Sequence, residues 1–426
     1  MTLTLGGQGV DDAREFVDAQ LLHKYLRMTS DNHDQPRHPP ARTATRLVSG
    51  GRDPLANYGF INPPVYHAST VLYRSAADYL AARGRYLYGR RGTPTSEALQ
   101  DALAGLEGGN CAGVALLPSG LAAVSAALLS VLGAGDHVLV TDSAYLPTRQ
   151  FCDHLLVRYG IRTTYYEPLV GADIAALFEP KTRAVFVESP GSLSFEMQDV
   201  PAIAAAAHAK GAAVLMDNTW ASPLYFRALD KGVDLSIQSG TKYIGGHSDV
   251  MLGTISANAQ WWPRLRETVE TMGLCVGPDD MYLGLRGLRT MGVRLAQHQA
   301  AGLKVARWLA ARPEVARVLH PALENDPGHA IWRRDYAGAC GLFSIVFRPA
   351  PQAAAHAFLD SLTLFGIGAS WGGFESLAIP FDCAKFRTAT TWAPGGPTVR
   401  LHIGLEDVDD LIADLERGFA AFAAAR

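Results

Sequence analysis

The chain has 426 residues, 48% of them hydrophobic and 19% charged, so it can bury a sizeable apolar core over most of its length. This composition excludes a globally disordered chain and a small scaffold held together by disulfides. The 38 lysines and arginines against 41 aspartates and glutamates leave a formal net charge of -3, which provides no positive field to attract nucleic acid. The length predicts two or three domains.

The cysteines and the terminal segment indicate a cytoplasmic protein without a metal site. No two of the five cysteines have the close spacing of zinc or redox motifs, so we predict reduced thiols. The amino terminus lacks the apolar stretch of a signal peptide. An uncharged run from Cys111 to Gly135 is interrupted by Pro118-Ser119-Gly120 into pieces too short to cross a bilayer, and we predict no membrane contact.

The predicted elements change character along the chain. Residues 1–41 are polar, rich in proline, histidine and aspartate, and without apolar periodicity, which predicts a mobile tail. From about Ser96, helical patterns alternate with short strands that are apolar throughout, such as AGVALL, HVLVT, RAVFVES and AAVLMD. Such strands indicate a parallel sheet buried on both faces. We therefore predict a doubly wound α/β domain over residues 96–290.

The pattern beyond residue 290 predicts a second, smaller α+β domain over residues 291–426. A helical stretch rich in arginine and leucine runs from Met281 to Arg312, and the isolated strands GLFSIVF and TVRLHI follow. The closing segment EDVDDLIADLERGFAAF has apolar residues at helical spacing and acidic residues in its first turn.

Three places at the carboxyl ends of predicted strands could carry chemistry, because ligands of open parallel sheets bind there. Pro118-Ser119-Gly120-Leu121 could present free N–H groups to a phosphate, or could be a plain strand-to-helix turn. Asp217 could be a partly buried carboxylate beside a cationic partner, or could cap the next turn.

The third place is Lys242, which lies among small and glycine residues in the apolar segment DLSIQSGTKYIGG. A desolvated lysine loses its proton readily and can form a Schiff base. An anion site, a strand-end carboxylate and a desolvated lysine together are what pyridoxal 5'-phosphate requires, as phosphate site, partner of the pyridine nitrogen and covalent anchor.

From about Arg42 onward, the chain resembles the Cys/Met-metabolism family of fold-type I enzymes that use pyridoxal phosphate, and within it the bacterial cystathionine β-lyases. The similar stretches, each given with its first residue number, are YGRRGTPT (88), LEGG (106), PSGLAAV (118), GDHVLVTDSAY (135), VESPGS (187), MDNTW (216), SIQSGTKYIGGHSD (236), GLRTMGVRLAQH (287), SWGGFESL (370) and RLHIGLEDVDDLIADL (400). The resemblance implies a large, mostly parallel domain, a smaller carboxyl-terminal α+β domain, and an arm over residues 42–95 that contributes to a neighbouring subunit's site.

The resemblance also implies roles in the cofactor site. Lys242 would bind the cofactor covalently and take the proton from the substrate Cα, and Asp217 would pair with the pyridine nitrogen. The phosphate would be held by the N–H groups of Gly120 and Leu121, by the hydroxyls of Ser239 and Thr241, and, from a neighbouring subunit, by Tyr88 and Arg90. Tyr145 would stack on the ring and assist proton transfer. The contribution of Tyr88 and Arg90 to a neighbouring subunit implies dimers with shared sites, and the family suggests a homotetramer.

The substrate side of the site is implied in the same way. Arg400 would grip the α-carboxylate, and Ser370 and Trp371 would also contact the substrate. Without the family, Tyr145 would be a core aromatic, the arginines around Arg90 a solvated basic face, and Arg400 a strand-edge residue.

The implied reaction is β-elimination of L-cystathionine, a small sulfur amino acid, to homocysteine, pyruvate and ammonia in methionine biosynthesis. Cystine and other cysteine S-conjugates are further expected substrates, and γ-elimination or γ-replacement by the same cofactor site is the alternative. Trp371 favours the β-lyase, since the γ-acting relatives carry a smaller residue there, although it could also pack between domains. Glu270 departs from the family, in which a tyrosine lies near the substrate side chain. A cofactor-binding regulator without catalysis is the remaining class.

Overall fold

A computed structural model describes residues 41–426, and residues 43–426 form one compact unit. The tail predicted over residues 1–41 thus lies, except for its last residue, outside the described residues. Within residues 41–426, no helix is long and apolar enough to cross a membrane.

The centre of the molecule is a seven-stranded sheet in the order β1-β7-β6-β5-β4-β2-β3. Its strands are β1 (Cys111–Leu117), β2 (His137–Thr141), β3 (Arg162–Tyr166), β4 (Thr182–Glu188), β5 (Ala213–Asp217), β6 (Leu235–Ser239) and β7 (Gly253–Asn258). Strand β7 runs antiparallel to both of its neighbours, and the other pairings are parallel. The predicted mostly parallel α/β class is confirmed, although the sequence pattern did not identify β3 or β7 as strands.

The inner strands pack against apolar cores on both faces of the sheet. All five residues of β2 are buried, and they alternate between the two cores: Leu139 packs on one side, and Val138 and Val140 pack on the other. Full burial of each such side chain contributes about 1.5–3 kcal/mol. This two-sided burial explains why these strands are apolar throughout instead of alternating.

Several helices begin at a side-chain cap. Thr93 caps the helix Pro94–Glu107 in a reciprocal capping box with Ser96, and Asp407 caps the carboxyl-terminal helix. The α-helices are Thr43–Ser49, Ala76–Leu80, Pro94–Glu107, Gly120–Val131, Leu146–Gln150, Val200–Ala209, Ser222–Tyr225, Trp262–Thr271, Pro278–Ala310, His329–Asp335, Gln352–Asp360 and Val408–Ala424. A π-helical turn, Phe151–Leu156, continues Leu146–Gln150.

A second, antiparallel sheet follows in the order β10-β11-β9-β8. Its strands are β8 (Val315–Leu319), β9 (Leu342–Phe347), β10 (Leu377–Phe381) and β11 (Thr398–His402). The strands β9 and β11 expected from GLFSIVF and TVRLHI are paired with each other. The helix Pro278–Ala310 runs continuously across residue 290, so the boundary predicted there lies within a helix, and the division into domains stays a prediction.

Candidate active site

A cavity of about 530 Å³ lies at the carboxyl ends of β1, β4, β5 and β6 and reaches the second sheet at β11. Parallel strands place the residues that follow them along one edge, so side chains far apart in sequence meet there. Ten of the predicted site residues line this cavity: Gly120, Leu121, Tyr145, Asp217, Ser239, Thr241, Lys242, Ser370, Trp371 and Arg400. Tyr88 and Arg90 line a different cavity, described below.

The anion cradle is formed where β1 leads into the helix Gly120–Val131. Ser119 caps this helix by accepting a hydrogen bond from the N–H of Ala122, while the N–H groups of Gly120 and Leu121 come first in the helix, where no earlier turn supplies an acceptor. A Cβ on Gly120 would lie 2.6 Å from the Ser239 Cβ and Oγ, so only glycine allows the helix end to come this close to β6. These donors and the helix dipole suit a phosphate group.

Asp217 ends β5 and is held by Thr219. The Asp217 Oδ1 accepts hydrogen bonds from the Thr219 N–H (3.0 Å) and hydroxyl (2.6 Å), and the same hydroxyl oxygen accepts from the Ser239 N–H at 2.8 Å. Burial raises the pKa of Asp217, and its bonds to Thr219 and the nearby Lys242 charge oppose this rise. Asp217 was predicted either to cap the next turn or to be a partly buried carboxylate near a cation. The structure is compatible with both, because Oδ1 caps the turn while the residue lines the cavity.

Lys242 follows β6 and points into the cavity. Its Nζ donates to the Ser370 Oγ at 2.6 Å and lies 5.6 Å from the centre of the Trp371 ring. Burial, and then the charge of Arg400, lower the pKa of Lys242 from its ordinary value of 10.5 to about 8, although Asp217 opposes this shift. About a tenth of the amine is therefore neutral at pH 7, and hence nucleophilic and basic, which is far more than for an ordinary lysine.

Arg400 enters the cavity from β11. Its Nη2 donates to the Ser370 main-chain carbonyl at 2.8 Å, and burial lowers the pKa of Arg400 to about 10. At neutral pH the guanidinium therefore remains a cation. A guanidinium in such a position can bind a carboxylate through two parallel hydrogen bonds.

Tyr145 lies at the cavity mouth with 47% of its surface exposed. Its main-chain N–H donates to the Glu188 Oε2 at 2.8 Å. Burial and the neighbouring carboxylates raise the pKa of the Tyr145 phenol, so the side chain is protonated at neutral pH.

Tyr88, Arg90 and Glu270 are brought together in a second cavity of about 750 Å³. The Arg90 Nη1 donates to the Glu270 main-chain carbonyl at 2.6 Å, and the Glu270 carboxylate pairs with Arg266 at 2.8 Å. In one chain, therefore, none of these three residues lines the cavity of Lys242.

Two residues of the site were missed by the sequence reasoning. Glu188 ends β4 directly beside Asp217 in the sheet register, and burial, reinforced by the Asp217 charge, raises the pKa of Glu188 well above its usual range. The signal that found Asp217, an acid after an apolar strand, applies to Glu188 as well. Thr219 is the second missed residue, and its hydroxyl links Asp217 to Ser239.

The hydroxyl of Thr241, a predicted phosphate ligand, is engaged with the main chain. It donates to the Leu252 carbonyl (3.2 Å) and accepts from the Leu252 N–H (3.0 Å).

The residues present fit pyridoxal phosphate. Gly120 provides a tight cradle for a phosphate, the Asp217 carboxylate can pair with a protonated ring nitrogen, and the Lys242 amine has the lowered pKa required to attack an aldehyde. Among residues 41–426, no group of three His, Cys, Asp or Glu side chains could hold a metal ion.

Comparison with known proteins gives consistent matches over nearly the whole described chain. A family model described as Cys/Met metabolism PLP-dependent enzyme matches residues 44–420. A Rhizobium johnstonii protein provisionally named cystathionine beta-lyase is 55% identical over 384 residues, which cover 89% of this chain and 96% of that protein. The cystathionine beta-lyase of Escherichia coli K12 is 47% identical over 387 residues, with coverages of 88% and 98%. The crystal structure of cystathionine gamma synthase from Xanthomonas oryzae pv. oryzae, in complex with aminoacrylate and cysteine, is 32% identical with a TM-score of 0.83 and coverages of 91% and 100%.

Proposed function

Because this chain belongs to the Cys/Met metabolism family of pyridoxal-phosphate-dependent enzymes, we propose that it catalyses β-elimination of L-cystathionine to homocysteine, pyruvate and ammonia. This is a carbon–sulfur lyase reaction of methionine biosynthesis. The observation that carries the proposal is the juxtaposition of Lys242, Asp217 and Arg400 in one cavity, in a chain so similar to cystathionine beta-lyases.

We assign the cofactor contacts to the residues of the cavity. The N–H groups of Gly120 and Leu121 and the Ser239 hydroxyl hold the phosphate, and Thr241 joins them by exchanging its bond to Leu252. Asp217 keeps the ring nitrogen protonated, and Tyr145 covers the ring. When bound, pyridoxal phosphate supplies an electron-accepting ring that stabilises negative charge at the substrate Cα.

The chain's own residues then perform binding and proton transfer. Arg400 binds the substrate α-carboxylate and orients the Cα–H bond. Lys242, as a neutral amine, takes the Cα proton, which its lowered pKa permits. The Cβ–S bond breaks with both electrons on sulfur, homocysteine leaves as the thiol after protonation, and water converts the three-carbon fragment to pyruvate and ammonia.

Tyr88 and Arg90 complete the site of a neighbouring subunit in this proposal. They line a cavity separate from Lys242 in their own chain, and Tyr88 is 46% exposed. Their phenol and guanidinium are suitable donors for a phosphate. The functional unit is then a dimer with two shared sites, and two dimers form the tetramer.

We place the enzyme in the cytoplasm. All five cysteines are free, and three of them (Cys152, Cys340, Cys383) are buried. Unpaired thiols are typical of a reducing compartment.

γ-Elimination or γ-replacement is the second candidate, favoured by the structural similarity to a cystathionine gamma synthase. These reactions use the same cofactor residues but break a bond at Cγ. Trp371, which lines the cavity beside Lys242, supports the β-lyase assignment.

The test is to incubate the protein, loaded with pyridoxal phosphate, with L-cystathionine and to identify the 2-oxo acid. We expect pyruvate together with homocysteine. Release of 2-oxobutyrate with cysteine would assign the protein to the γ-lyases. Binding of the cofactor without release of any 2-oxo acid would instead favour a cofactor-binding regulator without catalytic activity.

A further inference from the structure

A short loop, residues 370–373, carries two cavity residues to Lys242 from a distant part of the sequence. Ser370 has a φ of 90°, an unusual backbone conformation for a residue with a side chain, and Gly372 has a φ of 84°. A Cβ on Gly372 would lie 3.0 Å from the Lys242 Cβ. Glycine tolerates the positive φ at position 372, but serine does not favour the φ at position 370, so we expect contacts from other segments to hold the 370–373 loop in place.

His402 supplies such a contact from the end of β11, two residues beyond Arg400. It is fully buried, and its Nε2 lies 3.1 Å from the Gly372 main-chain N and 3.2 Å from the Gly373 main-chain O. A neutral imidazole nitrogen either accepts from an N–H or donates to a carbonyl, but cannot do both. The position of the imidazole proton therefore decides which peptide group His402 holds.

His298, on the helix Pro278–Ala310, favours one of these two states. Its Nδ1 lies 2.8 Å from the Ile403 carbonyl, and a carbonyl oxygen only accepts, so the His298 proton is on Nδ1 and its Nε2 has a lone pair. That Nε2 and the His402 Nδ1 are both buried without a hydrogen-bond partner in the described part of the chain, and the ring centres are 5.3 Å apart.

These two unpartnered nitrogens are complementary if His402 carries its proton on Nδ1. The two nitrogens are not hydrogen-bonded to each other, but one buried water could bridge this Nδ1–H donor and the His298 lone pair, and the His402 Nε2 is left to accept from the Gly372 N–H. Burial lowers the pKa of His402 to about 3 and that of His298 to about 4, so both rings are neutral at physiological pH.

We propose that His402 is a positioning residue: in the Nδ1–H form oriented by His298, it holds Gly372 and thereby places Ser370 and Trp371 against Lys242. The inference rests on the proposed function only in that these loop residues, with Arg400, contact the substrate. His402 itself is fully buried and does not line the cavity of Lys242.

The test compares His402→Leu with His402→Gln, whose amide oxygen can accept from Gly372 in place of Nε2. For His402→Leu we expect KM for L-cystathionine to rise about tenfold, the scale of one lost hydrogen bond to a buried donor, with a smaller change in kcat and unchanged uptake of pyridoxal phosphate. His402→Gln should return KM to within about threefold of the original.

His137→Leu is the matched control. His137 is equally buried. It begins β2, at the amino ends of the parallel strands and so away from the cavity of Lys242, and its ring nitrogens contact Thr182 at 2.7 Å and Thr164 at 2.9 Å. We expect this variant to lose stability without a change in KM. If it raised KM as much as His402→Leu, or if folded His402→Gln gave no recovery, the positioning role would be refuted.

A second readout is independent of catalysis. Acrylamide quenching of Trp371 in the cofactor-free protein, taken as the difference from the corresponding Trp371→Phe protein, should increase in His402→Leu and recover in His402→Gln. Unchanged quenching would overturn the inference even in an active enzyme. Conversely, failure of cystathionine turnover in the unmodified protein would overturn the proposed function and leave this measurement valid.

Discussion

At the scale of single residues, burial and neighbouring charges shift the pKa values of the groups in this cavity. Burial and then the charge of Arg400 lower the pKa of Lys242, whereas Asp217 raises it. The amine therefore titrates at about pH 8 while the guanidinium stays charged, which fits the proposal that Lys242 transfers a proton and Arg400 binds the substrate carboxylate in one cavity.

This balance predicts the pH dependence of cofactor uptake. Only the neutral Lys242 amine attacks an aldehyde, so the rate at which cofactor-free protein incorporates pyridoxal phosphate should rise with pH, with a midpoint at about 8. Arg400→Gln removes a cation that lowers this pKa and should move the midpoint upward. Asp217→Asn removes an anion that raises it and should move the midpoint downward. Rapid-mixing absorbance over a pH series measures the midpoint for the unmodified protein and for each variant. A midpoint near the ordinary lysine pKa of 10.5 in the unmodified protein would contradict the lowered pKa assigned to Lys242.

At the scale of elements, close approach between a helix end and a strand end builds the anion cradle. The helix Gly120–Val131 meets β6 at Ser239, and the missing side chain of Gly120 permits the contact. The same sheet edge brings Glu188 beside Asp217, because β4 and β5 are paired in register. Element packing therefore sets the shape of the proposed cofactor site.

Gly120→Ala tests the cradle. Its Cβ would lie 2.6 Å from Ser239, so we expect the dissociation constant of pyridoxal phosphate to rise about tenfold or more and stability to fall by about 1–3 kcal/mol. Fluorescence titration of the cofactor and denaturant unfolding measure the two effects.

Gly105→Ala is the control in another helix, Pro94–Glu107. Outside the neighbouring residues of its own helix, no atom lies within 4 Å of the added Cβ, and alanine should stabilise the helix by about 0.5–1 kcal/mol while cofactor affinity is unchanged. Equal cofactor affinity in both variants would show that the cradle does not depend on the contact with Ser239.

At the scale of the whole molecule, the separation of Tyr88 and Arg90 from Lys242 within one chain has a consequence for assembly. A site that needs both sets of residues is incomplete in a monomer. A closed dimer with twofold symmetry would complete two such sites at once.

Mixing two inactive variants tests shared sites. Chains with Lys242→Ala and chains with Arg90→Ala, dissociated and reassociated in equal amounts, should regain about a quarter of the original activity, because half the dimers are hybrids with one unmodified site each. Lys242→Ala mixed with Asp217→Ala is the control, since both changes affect one chain's cavity and every hybrid site is defective. Hybrids formed without regained activity would exclude the shared site.

The sequence by itself determined the local features of this protein. Apolar strands alternating with helices identified the confirmed α/β class, and the motifs identified the confirmed family, because side-chain periodicity and turn chemistry are local properties. Gly120, Asp217 and Lys242 were recognisable since each lies at or shortly after the end of a predicted strand. The roles assigned to them stay predictions.

Only the tertiary structure decided which distant residues meet. The strand β7 (GTISAN) escaped the sequence pattern because its buried residues include the polar Thr254 and Ser256 and so form no apolar run, and its antiparallel direction is set by its neighbours in the sheet. Ser370 contacts Lys242 across 128 residues, and His402 holds the loop that carries it. Such contacts depend on how the two sheets and the long helix Pro278–Ala310 pack together. They leave no periodic pattern in the sequence around Lys242, Ser370 or His402.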